Sequence, residues 1–150
     1  MKELQGSASA EIELTAEECF ALLVAIDRYP AWFEVVRATE ILERGPDGRP
    51  RLARVELHFP QSPFGTDFEL VVAVQADHPE AMQVTKVPDG PADQDRLEFS
   101  WQLTERESTQ IDFEFEAAVS FLPAYLPIGS AGDAIAEAIL NAATTAFTTR

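Results

Sequence analysis

Two hydrophobic periods alternate along this chain. Leu97, Phe99, Trp101 and Leu103 occupy every second position, with Glu98, Ser100 and Gln102 between them. Ile111, Phe113, Phe115, Ala117 and Val119 repeat the pattern against Gln110, Asp112, Glu114 and Glu116. One apolar face and one wet face are what antiparallel strands present, and a one-residue slip would invert every side chain. The same period runs through Ser9 to Leu14, Val35–Arg44, Arg51–Phe59, Phe64 to Gln75 and Ala81–Val87. Gly45-Pro46-Asp47-Gly48 is a strong turn signal between the second and third of these, and Pro60-Gln61-Ser62-Pro63 breaks the next connection. Pro88 to Asp95, rich in Pro, Gly and Asp, reads as a further loop.

The other period is helical. Thr15 is placed as an N-cap, and Glu18 three residues on completes a capping box. Cys19, Phe20, Leu23, Val24 and Ile26 follow at helical spacing, and the helix must stop before Pro30. Pro30 to Glu34 has room for one short further turn. After Pro123 and Pro127 the spacing predicts a long helix from about Ile128 to Phe147, with Ile128, Ile135, Ile139, Ala142, Ala143 and Phe147 as its apolar stripe. Ala138 and Ala142, one turn apart, border Ile135 and Ile139 and are expected to face the sheet. This order predicts an α+β domain spanning residues 1–150, in which a curved antiparallel sheet of about seven strands wraps a C-terminal helix.

Charge narrows the partners. Asp and Glu number 26 against 11 Lys and Arg, a net charge of −15. Such a field repels phosphate backbones and anionic membrane surfaces, so neither nucleic acid nor membrane insertion is expected. Cys19, the one cysteine, forms no internal disulfide, and with His58 and His78 alone beside it no Cys/His zinc site is expected. No apolar run approaches a membrane span, and Met1 to Ser7 holds no signal-peptide core. The expectation is a cytoplasmic domain, monomer or homodimer, without metal or cofactor.

Candidate chemistry is sparse. His58 shares a polar face with Glu56 and Arg54, and His78 sits in a turn before Pro79; neither has an acidic orienter at motif spacing. Cys19 continues an apolar helix face and reads as core. The carboxylate pairs Glu114 and Glu116, Glu17 and Glu18, and Asp93 and Asp95 fit wet faces or loops, so no catalytic residue is assigned. Lys86 shares alternation with Met82 and Val84. Turned inward it would bind a carbonyl or carboxylate; the expected arrangement is a strand-end lysine snorkelling outward. Thr39 and Thr66 could also offer inward hydroxyls.

Three segments resemble the START-like, or SRPBCC, superfamily of polyketide cyclase/dehydrase, lipid-transport and coenzyme Q-binding-like proteins. Glu11 to Phe20 is similar to its opening strand and helix start, Asp27-Arg28-Tyr29-Pro30-Ala31-Trp32, in its Tyr-Pro-x-Trp part, to its D-x-x-x-Y-P-x-W turn, and Leu122-Pro123-Ala124-Tyr125-Leu126-Pro127 to the approach to its final helix. The final helix holds no Lys or Arg before Arg150, where many relatives carry several. The resemblance implies a helix-grip fold enclosing an apolar cavity for a hydrophobic small molecule. Its expected lining here is Tyr29, Trp32, Phe68, Leu70, Phe99, Trp101, Phe113, Phe115, Ile135, Ala138, Ile139 and Ala142. Three functions fit: a carrier or sensor of a lipid, quinone or polyketide; a cyclase or dehydratase acting by substrate orientation; or a partner-binding module.

Overall fold

The computed structural model of the chain describes residues 2–58, 67–119 and 130–148. Seven strands, β1 (Lys2–Ile12), β2 (Val36–Arg44), β3 (Pro50–His58), β4 (Asp67–Asp77), β5 (Ala81–Lys86), β6 (Arg96–Glu105) and β7 (Thr109–Val119), form one antiparallel sheet. Their order is β1-β7-β6-β5-β4-β3-β2, so β1 and β2 are its two edges. Helix α1 (Ala16–Val24) and a 3-10 segment (Ile26–Ala31) connect those edges, and α2 (Ser130–Thr148) ends the described chain. The expected α+β architecture, a curved sheet gripping a C-terminal helix, is the one observed.

Local chemistry accounts for most element boundaries. The Thr15 hydroxyl accepts the Glu18 N–H at 3.1 Å and donates to the Glu18 carboxylate at 3.2 Å. Glu105 on β6 accepts the Ala16 N–H at 2.6 Å, a second cap on the same helix start. Gly48 closes the β2–β3 turn at φ 81°, a left-handed conformation that costs glycine nothing. Ile26, expected at the end of the first helix, instead opens the 3-10 segment, which takes the place of the short turn expected at Pro30 to Glu34. β1 begins at Lys2, well before the expected Ser9, because its first half pairs with β7 from Lys2 opposite Val119. Leu14 lies beyond β1, and its carbonyl accepts the Thr109 hydroxyl at 2.6 Å. Phe59, the 60–63 break, Phe64, Thr66, the 122–127 segment, Ile128 and Arg150 lie outside the described residues.

The core occupies the concave face of the sheet. Leu103, Trp101, Ile111, Phe113, Phe115, Val72, Val74 and Met82 are buried there against Cys19, Phe20 and Leu23 of α1 and Ala136, Ile139, Leu140, Ala143 and Phe147 of α2. Helix α2 lies on β1 and β7. Its start crosses β1 backbone to backbone, since a methyl group on Gly6 or Gly132 would overlap the carbonyl of Gly132 or Gln5. Asp133 accepts the Ser7 N–H at 3.1 Å, which covers part of the open β1 edge.

The observed stripe of α2 corrects one expectation. Ala138 is exposed on the solvent side of the helix and does not face the sheet. It lies two residues, about 200° at 3.6 residues per turn, from both Ala136 and Leu140, which do face the core.

Candidate functional site

The described residues cover the concave face incompletely. Helix α2 packs over β1 and β7, whereas β3 to β6 carry apolar side chains that remain half-buried: Leu57, Phe68, Val84, Leu97 and Phe99. Register places them in two groups: Leu57 lies opposite Phe68, while Val84 lies between Phe99 and Val74, six residues along β4 from Phe68. Of the expected lining, Phe68 and Phe99 belong to this open part. Leu70, Trp101, Phe113, Phe115 and Ile139 are buried. Trp101 and Phe113 meet at a tilt of 39° with centroids 4.3 Å apart, and Phe99 reaches Phe113 at 5.7 Å. Ile135 is half-buried beside the core.

Trp32 and Ala142 meet at another opening, with Tyr29 packed behind Trp32. A groove of about 430 Å³ separates the 3-10 segment from the flank of α2, lined by Ala31, Trp32, Asn141, Ala142, Thr145 and Ala146. Tyr29 packs edge-on to Trp32 at 4.9 Å and donates its hydroxyl to the Leu23 carbonyl. Burial pushes the Tyr29 phenol well above its usual range, so it stays a donor. The Trp32 indole Nε1–H is buried without an acceptor among the described residues. A second opening, of about 520 Å³, is rimmed by Glu13, Glu18, Glu105 and Glu107 around Thr15. Three of its polar groups, Thr15, Glu18 and Glu105, are the caps of α1 already described.

Lys86 departs from its expected outward course. Its side chain is 3% exposed and paired with Asp93. Val72 lies directly opposite it, which places it on the concave face with Met82 and Val84. The strand pattern gave the alternation, but the countercharge comes from the loop seven residues later, where nothing local marks it. Asp93 also accepts the Asp89 N–H at 2.9 Å and the Asp95 N–H at 3.0 Å. The Lys86 hydrogen bond and those two N–H groups hold its carboxyl at about 2. Thr39, on the edge strand β2, is half-buried.

The remaining candidates are on other surfaces. His58 contacts Asp67 at 2.5 Å, and Arg37 binds the same carboxylate at 2.9 Å, all three being exposed. The His58 hydrogen bond, then Arg37, lowers the Asp67 carboxyl below its ordinary range. This cluster continues a charged ladder in which Arg54 joins Glu40 and Glu69, both at 2.9 Å. His78 meets Phe20 edge-on at 4.8 Å, and Cys19 is wholly buried. Among the described residues no three His, Cys, Asp or Glu side chains could hold a metal ion, and no helix is long and apolar enough to cross a membrane.

Known structures share this arrangement. A START superfamily protein from Mycobacterium smegmatis superposes with a TM-score of 0.69 at 18% identity, covering 95% of this chain and 93% of that one. A conserved protein from Geobacillus kaustophilus gives 0.72 at 17% identity, over 97% and 93% of the two chains. The Zhui aromatase/cyclase from Streptomyces sp. R1128 gives 0.67 at 16% identity, over 99% and 96%. At such identities the likeness is one of fold. No curated protein sequence matches the chain. The family model described as polyketide cyclase/dehydrase and lipid transport matches residues 12–146, from the end of β1 almost to the end of α2, and the chain belongs to that family.

Proposed function

We propose that this protein binds a hydrophobic small molecule, a lipid, quinone or polyketide-like compound, between its sheet and α2, as a carrier or sensor. One observation carries the reading: among the described residues, Val84, Leu97 and Phe99, and further along the sheet Leu57 and Phe68, are apolar side chains of the concave face that stay half-buried. Apolar surface that stays in reach of solvent marks a binding surface, and small-molecule sites are concave and largely apolar. The groove beside Trp32 and Ala142 supplies a second opening along α2. The net charge of −15 favours uncharged ligands over anions. Titration with the neutral fluorophore N-phenyl-1-naphthylamine tests the reading. Saturable enhancement, and its competition by hydrophobic molecules that native mass spectrometry finds co-purifying, is expected. No saturable enhancement and no co-purifying molecule would overturn it.

The cyclase or dehydratase reading gains from the inward Lys86, a titratable group on the concave face. Such an enzyme would work by holding a reactive chain in one shape away from water, which requires few acid-base groups.

A further inference from the structure

Lys86 stands at the border of the half-open apolar surface. Val72 faces it across the strands, Val84 precedes it by two residues, and Val84 in turn lies against Phe99. Burying an ammonium among such neighbours is costly unless its donors are satisfied. An ammonium has three N–H donors, and among the described residues Lys86 has one acceptor, Asp93 Oδ2. Asp93 is engaged on both oxygens, because the Asp89 N–H shares Oδ2 and the Asp95 N–H takes Oδ1. The pair is therefore neutral as a unit and still rich in donors.

That combination specifies a ligand. We infer that Lys86 is the polar anchor of the binding surface and that it selects a neutral carbonyl-bearing apolar molecule over a hydrocarbon or a carboxylate. The inference rests on the ligand-binding reading above. A carbonyl oxygen would accept a charge-assisted hydrogen bond from a spare N–H without adding charge. A carboxylate would bring a second anion beside Asp93 in a poorly solvated site, within a protein that already carries −15. Tying the loop to the sheet does not by itself call for a lysine. A buried ion pair adds little net stability over apolar side chains of similar volume, so the spare donors are the distinguishing feature.

Three probes of one shape provide the test: 2-acetylnaphthalene, 2-ethylnaphthalene and 2-naphthoate, titrated into the parent and into Lys86→Met/Asp93→Asn. The double variant removes both charges together and leaves an amide oxygen for one of the two loop N–H groups. The ratio of ketone to hydrocarbon affinity is expected to fall about tenfold or more in the variant, with hydrocarbon affinity preserved. On the parent alone, the infrared carbonyl stretch of bound 2-acetylnaphthalene should lie below its frequency in hexane, a readout that needs no variant to fold. An unchanged ratio in a folded variant, an unshifted carbonyl, or tighter binding of naphthoate than of the ketone would each overturn the inference and leave the ligand-binding reading standing. Failure of the parent to bind either neutral probe would remove the ligand-binding reading, and this inference with it.

Discussion

Thr109 has no exposed surface, and its hydroxyl holds the Leu14 carbonyl where the chain leaves β1. Thr109→Val keeps the shape and strands that carbonyl, so stability should fall by about 1–3 kcal/mol in urea unfolding followed by tryptophan fluorescence. Thr15→Ala removes a cap from an exposed helix start and should cost about 1 kcal/mol in the same assay. An unchanged midpoint at unchanged slope, in either case, would mean that the hydrogen bond contributes nothing. The two residues differ in how far the sequence exposes their roles. Thr15 and Glu18 are partners three residues apart, and the capping box is written locally. Thr109 answers to Leu14 across 95 positions, and Lys86 to a loop carboxylate, so their partners exist only once the sheet has formed. The Asp93 carboxylate in the adjoining loop accompanies the inward turn of Lys86 against its expected course.

At the level of elements, legibility followed the strength of alternation. β6 and β7 carry large apolar residues on one face and polar residues on the other, and they lie where the pattern places them. The start of β1, Lys2 to Ser7, offers a lone large apolar residue, Leu4, and its pairing comes from β7. Helix α2 was legible in length and not in phase. Alanines on most sides leave the apolar moment poorly directed, so Ala138 and Ala142 could not be told from Ala136 and Ala143 by spacing. The structure separates them. Ala136 and Ala143 have no exposed surface, Ala138 is exposed, and Ala142 lines the groove beside Trp32. Ala143→Leu should therefore overpack the core and cost about 1–3 kcal/mol. Ala138→Leu should change stability by less than about 0.5 kcal/mol, as surface substitutions do. Thermal unfolding of the two variants checks the phase of the helix, and equal losses would mean that α2 is rotated from the position described here. Ala142→Leu should hold stability while altering uptake of N-phenyl-1-naphthylamine if the groove takes part in binding.

The whole molecule answers to acid in two ways that a pH series can separate. Its 26 carboxylates lose charge as pH falls toward the isoelectric point near 4.3, where self-repulsion vanishes and light scattering should rise. Folding stability responds further down. Asp93, drawn from its ordinary 3.8 to about 2 by Lys86 and the Asp89 and Asp95 N–H groups, binds its proton more weakly folded than unfolded. Its contribution is therefore complete above about pH 4 and is lost as pH falls through about 2. Asp47 and Asp67, lowered by Arg49 and by His58 with Arg37, act with the same sign. Asp93→Asn isolates one group. It leaves an amide oxygen for the loop and deprives the buried Lys86 of its countercharge, so the variant should be less stable at neutral pH. The gap between parent and variant should stay constant from pH 7 to about 4 and narrow toward pH 2, where the parent's carboxyl is also becoming neutral. Urea midpoints for both proteins across that range, at concentrations where scattering is flat, measure the gap directly. A gap that does not narrow below pH 4 would show that the Asp93 carboxyl is not held down by Lys86 and that the ammonium is neutralised elsewhere.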